Sequence, residues 1–229
     1  MDSTSQFRAE MPFAFSKDPD SDYYKAVMET YERVNQSTPE DIGVAVYWDC
    51  NPGPTLVNGH IMQVNKQNTP GGHWIGINKI ACTERKLSLV ESCHAYALLA
   101  TAIADGFIAA WDTKYHHEFV RPETFINQYI DPDWKPKLES PLFPEFSSAH
   151  SLISAVAATI LTDLHGDNFS FYDDTNTYFN LPAKKFNNFW EAAEQAAFSR
   201  LLGGIHYKAG CESGLEQGRA LGAFVLARL

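Results

Sequence analysis

Apolar residues recur at helical spacing through most of this chain, and strict two-residue alternation is never sustained. The strongest pattern lies between Thr83 and Trp111, where Leu87, Val90, Ala95, Leu98, Leu99, Ile103, Phe107 and Ile108 share one stripe and no proline intervenes. That segment predicts one long helix. Ser148 to Leu164, rich in Ala, Ile and Leu, predicts a second, with Gly166 where a helix usually stops. Ala183–Gly203 and Glu212–Leu229 read as two more.

Upstream, Asp22 to Val34 predicts a short helix. Thr38-Pro39-Glu40-Asp41 then supplies an N-cap, a first-turn proline and acids against the helix dipole, so a helix runs to about Tyr47. Asn51-Pro52-Gly53-Pro54 ends it. Asn58 to Gly72 reads as a long polar loop, and His73 to Ala81 as a restarted helix. Pro132, Pro136, Pro141 and Pro144 break the chain between Ile130 and Phe146, which predicts a structured loop. Residues up to Pro12 read as a loose polar arm. The expected fold is an all-α helical bundle with long loops and no real sheet. Residues 1–82 would form an arm and short helices packed on a catalytic bundle of residues 83–229, one compact domain overall.

At 229 residues the chain can bury a sizeable core, and 45% hydrophobic residues exclude a disordered chain. A net charge of -10 argues against nucleic acid and anionic membranes as partners. Any anion site must then be a focused pocket. Cys50, Cys82, Cys93 and Cys211 lack a C-x-x-C pair and read as buried free thiols, with one or two bridges open if the protein is exported. Met1 to Arg8 has no apolar signal-peptide core, and the longest apolar run, Ala95 to Ala104, is about half the ~20 residues of a membrane span. A soluble protein without a span is expected, with periplasmic export left open.

Against that acidic background, three segments concentrate cations and histidines. They are Lys114-Tyr-His-His-Glu-Phe-Val-Arg121-Pro122, Ser147-Ser148-Ala149-His150-Ser151 and Ser199-Arg200-Leu-Leu-Gly-Gly-Ile-His206. A tetrahedral oxyanion needs such a kit: fixed cations, hydroxyl and amide donors, an acid/base, and a ligand or nucleophile. Seven positions, about two turns, separate Lys114 from Arg121, so on one helix both would face the same way, and Pro122 would end or bend it. Ser148, Ala149 and His150 fall at a predicted helix start, where free N–H groups seat anions. One Lys/Arg pair is usually a solvated face and one histidine usually a core residue; the conjunction of three segments carries the reading. His60, His73, His94 and His165 lack such company and read as structural or surface residues. Of His116 and His117, at least one should point away from Lys114.

The order K-x6-R-P, serine-small-His and S-R-x5-H resembles the signature of the vanadium-dependent haloperoxidases and type 2 phosphatidic acid phosphatases, over about Trp111 to Gly218. The flanking residues look nearer to the soluble bacterial haloperoxidase-like branch. The resemblance implies vanadate as cofactor, with phosphate able to take the same site. Lys114, Arg121 and Arg200 would hold its oxygens, helped by Ser148 and the Ala149 amide. His206 would be the vanadium ligand, or the nucleophile of a phosphatase, and His150 the acid/base. Trp111 and Phe143 would line the halide side. Substrates would be hydrogen peroxide with halide, or a phosphomonoester. Those haloperoxidases also carry a further helical portion, so a homo-oligomer or a missing N-terminal helical half is implied.

Two departures stand out. Ser147 and Ala149 replace the Pro and Gly of the family's P-S-G-H-S, and a methyl at 149 crowds the anion if that residue needs φ > 0. Gly210 replaces the Asp that usually orients the second histidine. Glu212 is a candidate substitute. That loss weighs against the phosphatase reading more than the haloperoxidase one, and an inactive oxyanion-binding domain is the third alternative.

Overall fold

The computed structural model describes residues 1–50, 53–58, 61–65 and 67–228. Among the described residues there are eight α-helices: α1 Asp22–Asn35, α2 Pro39–Tyr47, α3 Pro70–Glu84, α4 Leu89–His117, α5 Pro122–Tyr129, α6 Ala149–His165, α7 Phe189–Leu202 and α8 Lys208–Leu226. Two antiparallel ribbons accompany them, β1 Gly53–Asn58 with β2 Ile61–Asn65, and β3 Phe171–Asp173 with β4 Lys184–Phe186. The molecule is thus a helical bundle, and the ribbons are too short to change its class.

Helix α6 is the axis. It packs against α4, α7 and α8, with α3 alongside. Leu152, Ile153, Val156, Ala157, Ile160 and Leu161 are fully buried, so the helix is apolar around most of its circumference, as a central helix must be. Glycines set its distance from α8. A methyl at Gly214 would lie 2.6 Å from the Ser148 carbonyl oxygen; one at Gly218 would strike the Leu152 carbonyl, and one at Gly222 would meet Thr159 at 2.7 Å. The four-residue repeat lets the α8 backbone rest directly on α6, which fixes the N-terminal end of α6 against the start of α8.

Several boundaries differ from those the sequence predicts. The long helix expected from Thr83 is split: α3 ends at Glu84, Lys86 turns at φ 52°, and Ser88 with Glu91 forms a capping box that starts α4 afresh. α4 continues six residues past Trp111 to His117 and stops at Glu118, φ 47°. Pro122 opens a helix instead of closing one, with Arg121 as the N-cap of α5. The helix expected from Ala183 begins at Phe189, because Lys184–Phe186 pairs as β4 and Asn188 caps α7. α8 begins four residues before Glu212. Much of the loop expected over Asn58–Gly72 is strand β2 and the first turn of α3, which Thr69 caps.

The N-terminal arm is not loose. Arg8 forms two hydrogen bonds to Asp112 (2.7 and 3.0 Å), the Phe7 carbonyl accepts from Gln217, and Phe7 packs edge-on to Phe224. By length and composition α4 could cross a membrane, yet ten of its residues are buried in the bundle. All four cysteines are free thiols, three of them buried.

Candidate active site

Lys114, Arg121, His150, Arg200 and His206 converge, and none is more than 9% exposed. Different elements bring them: the end of α4, the N-cap of α5, the first turn of α6, the last turn of α7, and the Gly203–Tyr207 turn before α8. Lys114 and Arg121 do not share a helical face. The left-handed Glu118 reverses the chain between them.

The loop from Pro141 to Ser147 is their meeting point. Lys114 Nζ donates to the carbonyls of Pro144 (2.8 Å) and Glu145 (2.9 Å). Arg121 Nε donates to the Phe143 carbonyl (2.9 Å), Nη2 to that of Pro144 (3.2 Å), and Nη1 to that of Ile205 (2.7 Å). Both cations stand over the Phe143 ring, 5.2 and 5.1 Å from its centroid, and Phe143 packs on Trp111. Arg200 donates to the Ala45 carbonyl and to Ser199 Oγ.

Among the described residues none of these three cations forms a salt bridge. Burial, aided by Arg121, lowers Lys114 well below the ordinary lysine value. Burial likewise lowers Arg121 to about 10 and lowers Arg200. Three buried cations under that strain attract an anion.

Glu145 is the buried acid at this centre, and the sequence reading missed it. Its Oε1 accepts from His206 Nδ1 (2.7 Å) and from the Tyr207 amide (3.2 Å). Burial pushes its carboxyl up to about 7 against the pull of Arg121 and Lys114. Since a carboxylate oxygen accepts, Nδ1 carries the imidazole proton and Nε2 keeps its lone pair, which faces Arg121 Nη1 at 3.1 Å. Burial, then the cations Arg121, Lys114 and Arg200, hold His206 well below the ordinary histidine value. A neutral ring with a directed lone pair is what a metal ligand or nucleophile requires.

The candidate substitute named from the sequence, Glu212, does not take this place. Glu212 is exposed and lies 3.9 Å from Lys208. A carboxyl just before the second motif, together with the glycine at 210, was the available signal.

His150 presents a buried Nε2 with no hydrogen-bond partner. Burial, then Arg200 and His73, push this ring well below its ordinary value, so it is neutral and can act as a base. Ser148 caps α6: its Oγ accepts from the Ser151 amide (3.3 Å) and hydroxyl (2.9 Å), which leaves its own proton free to donate. Ala149 is the first helical residue and does not have positive φ, so its methyl needs no strained backbone.

A cavity of about 180 Å³ is lined by Trp111, Phe143, Ala149, His150, Arg200 and His206. That is below the ~300–1,000 Å³ of drug-sized ligand pockets and suits a small inorganic group. Lys114, Arg121 and Ser148 are not among the residues that line it. Cys50 also lines the cavity, and burial pushes its thiol up to about 12 and keeps it neutral. His116 is exposed, while His117 turns to the Ala9 carbonyl. His73 and His165 are buried and His94 is exposed; His60 lies outside the described residues.

The orphaned His150 nitrogen, the unpaired cations and the neutral His206 lone pair fit a tetrahedral oxyanion such as vanadate or phosphate. Comparison with protein families matches residues 94–229 to the VCPO second helical-bundle domain. The chain belongs to this family.

Across its whole length it is similar to a bacterial vanadium-dependent iodoperoxidase, at 44% identity and TM-score 0.92, and it spans 55% of that chain. A bacterial vanadium-dependent chloroperoxidase shares 16% identity at TM-score 0.71 over 97% of this chain and 50% of its own. A transmembrane PAP2-type phosphatidylglycerolphosphate phosphatase from Bacillus subtilis shares 14% identity at TM-score 0.53, over 92% of this chain and 88% of its own. These last two show the shared fold. The VCPO-family chain spans about half the length of the solved vanadium peroxidases it matches. Comparison with curated proteins finds no match.

Proposed function

We propose that this chain holds the active site of a vanadate-dependent haloperoxidase, acting on hydrogen peroxide and a halide, with iodide the first to test. The observation that carries the reading is the neutral His206. Its Nδ1–H is tied to Glu145 and its Nε2 lone pair faces Arg121 Nη1 at 3.1 Å, beside the small cavity that His150 and Arg200 also line. The 44% identity to an iodoperoxidase over the whole chain supports the choice of reaction.

In this reading His206 Nε2 would hold vanadate, with Lys114, Arg121, Arg200, Ser148 and the Ala149 amide on its oxygens. Bound there, vanadate would supply a Lewis-acid centre for peroxide activation. The chain's own groups do the rest. The three cations offset oxyanion charge in a site that burial keeps dry. His150 Nε2 takes a proton from incoming peroxide and returns it to the departing oxygen. Trp111 and Phe143 form the apolar wall beside which a soft, weakly hydrated halide can rest.

A second reading survives on one observation. Glu145 restores the carboxylate that Gly210 removed, so His206 is as well aimed for attack on a phosphomonoester as for ligation. One comparison separates the two. Protein loaded with orthovanadate should oxidise iodide with peroxide, and vanadate-free protein should hydrolyse p-nitrophenyl phosphate poorly. Hydrolysis that vanadate inhibits, without vanadate-dependent iodide oxidation, would overturn the peroxidase reading.

A further inference from the structure

We propose that Glu145 and Gly210 form one exchangeable unit: Glu145 is the positioning residue that orients His206, and residue 210 is glycine because the Glu145 carboxylate occupies the space its side chain would fill. The inference deepens the proposed oxyanion site and rests on that reading only for the choice of ligand.

The geometry is direct. A β-carbon built on Gly210 would collide with Glu145 Oε1 and lie 3.1 Å from Cδ, in a fully buried place where neither group can swing out. The same Oε1 accepts both His206 Nδ1 and the Tyr207 amide, so the imidazole plane and the backbone carrying it are fixed by a single atom. The Glu145 backbone is itself pinned. Its amide donates to the Phe119 carbonyl (2.9 Å) and its carbonyl accepts from Lys114 Nζ (2.9 Å). The Gly210 carbonyl meanwhile accepts from the Ser148 amide (2.9 Å). The carboxylate that fixes His206 and Tyr207 is thereby delivered by the loop that also binds Lys114 and Arg121, and not by α8.

A residue at 210 lies four positions after His206, on the first turn of α8. An acid placed there would put its side chain where the Glu145 carboxylate now meets that Nδ1. Only one of the two positions can hold the carboxylate at a time, since both side chains claim the same volume. The pair should therefore be swappable.

The test compares the full-length protein with Glu145→Gln, Glu145→Ala, Gly210→Ala, and the double variants Glu145→Ala/Gly210→Asp and Glu145→Ala/Gly210→Ala. Orthovanadate and inorganic phosphate affinities are measured by calorimetry, and the His206 tautomer by ¹⁵N imidazole shifts in ligand-free protein. Glu145→Ala should weaken orthovanadate roughly 10- to 100-fold and lose the fixed Nδ1–H tautomer. Gly210→Ala should do the same by expelling the carboxylate. Glu145→Ala/Gly210→Asp should recover both the tautomer and most of the affinity, while the control with alanine at both positions should recover neither.

Glu145→Gln keeps volume and an acceptor oxygen, so it guards against loss of folding. It should hold the tautomer yet bind orthovanadate more weakly than wild type. Unchanged tautomer and affinity in Glu145→Ala, or no recovery in the aspartate double variant, would overturn the inference. The tautomer is read without ligand. Wild-type protein that binds neither anion would sink the proposed function while leaving the positioning claim independently decided.

Discussion

Among the described residues two histidine–carboxylate pairs are buried, and they are alike in length though they use different ring nitrogens. His206 meets Glu145 at 2.7 Å, and His73 meets Asp173 at 2.6 Å. Their surroundings differ. Around His73 stand the stacked Trp48 ring and Cys50 Sγ, and Asp173 Oδ1 accepts from the Thr175 amide and hydroxyl. Both Asp173 oxygens are satisfied. Burial alone would raise that carboxyl, but the bonds and charge of His73 and the Thr175 hydroxyl outweigh it and hold it below the usual range. Around His206 stand three cations, and burial drives Glu145 upward against the pull of two of them, Arg121 and Lys114. The saturated pair is a strut joining α3 to β3. The cation-crowded pair is the one that the proposed function assigns to ligand binding. Distance alone does not distinguish them; the charge of the neighbours does.

The sharpest way to break this contrast is to remove one member of each pair. Asp173→Ala should cost about 3–5 kcal/mol of stability, because it leaves a buried imidazole without its partner. Urea melts would show that loss, and the folded fraction should keep its orthovanadate affinity. His206→Ala should reverse the pattern: orthovanadate binding lost in calorimetry, with a far smaller shift in melting temperature. Equal losses of affinity in both variants would erase the distinction between strut and site.

A pH series extends the same contrast. Because the folded Asp173 value lies below the unfolded one, near 3.9, its contribution is complete above about pH 4 and disappears as pH falls through the lower folded value. The Asp173→Asn variant should accordingly show a flatter stability curve than wild type below about pH 4. Denaturation monitored at several acid pH values would reveal it. Parallel curves would mean that the pair carries no linked proton.

A smaller effect separates two positions on one interface. Gly214 abuts the Ser148 carbonyl at the N-terminal end of α6, and Gly222 abuts Thr159 farther along. Each alanine substitution should cost about 1–3 kcal/mol by overpacking. Gly214→Ala should additionally weaken orthovanadate binding, since the helix start that carries Ser148 and His150 must move. Loss of affinity in Gly222→Ala instead would show that the helix pair shifts as a rigid body.

What could be read from the residues, and what could not, follows the same division. Helical spacing predicts α1, α2, α6 and the all-α class, because an amphipathic or buried helix writes its period into the chain. The cations and histidines that converge were also visible, since cations among apolar neighbours are costly and need a reason. Glu145 was hidden because its partner lies 61 residues away and its loop obeys no period. The relation of Lys114 to Arg121 was misread for a related cause: a left-handed Glu118 leaves no mark in hydropathy, so one helix was drawn where two meet. The glycine repeat of α8 and the Ser88–Glu91 box were legible by spacing and capping chemistry, and were passed over. Long-range pairing, unlike period, has no local trace.

The smallest effect concerns Ala149, where the family's glycine is replaced. If glycine served a special backbone angle, restoring it would relieve strain and strengthen anion binding. The residue is instead the first of α6, without positive φ, and its methyl lies on the cavity wall. Ala149→Gly should then lose up to about 1 kcal/mol of stability from added backbone freedom. Orthovanadate affinity should hardly change, because the donor at this position is the amide and not the side chain. Calorimetry on the variant decides the point. A tenfold gain in affinity would mean that the methyl crowds the oxyanion, placing the departure at 149 on the functional side of the comparison alongside Glu145 and Gly210.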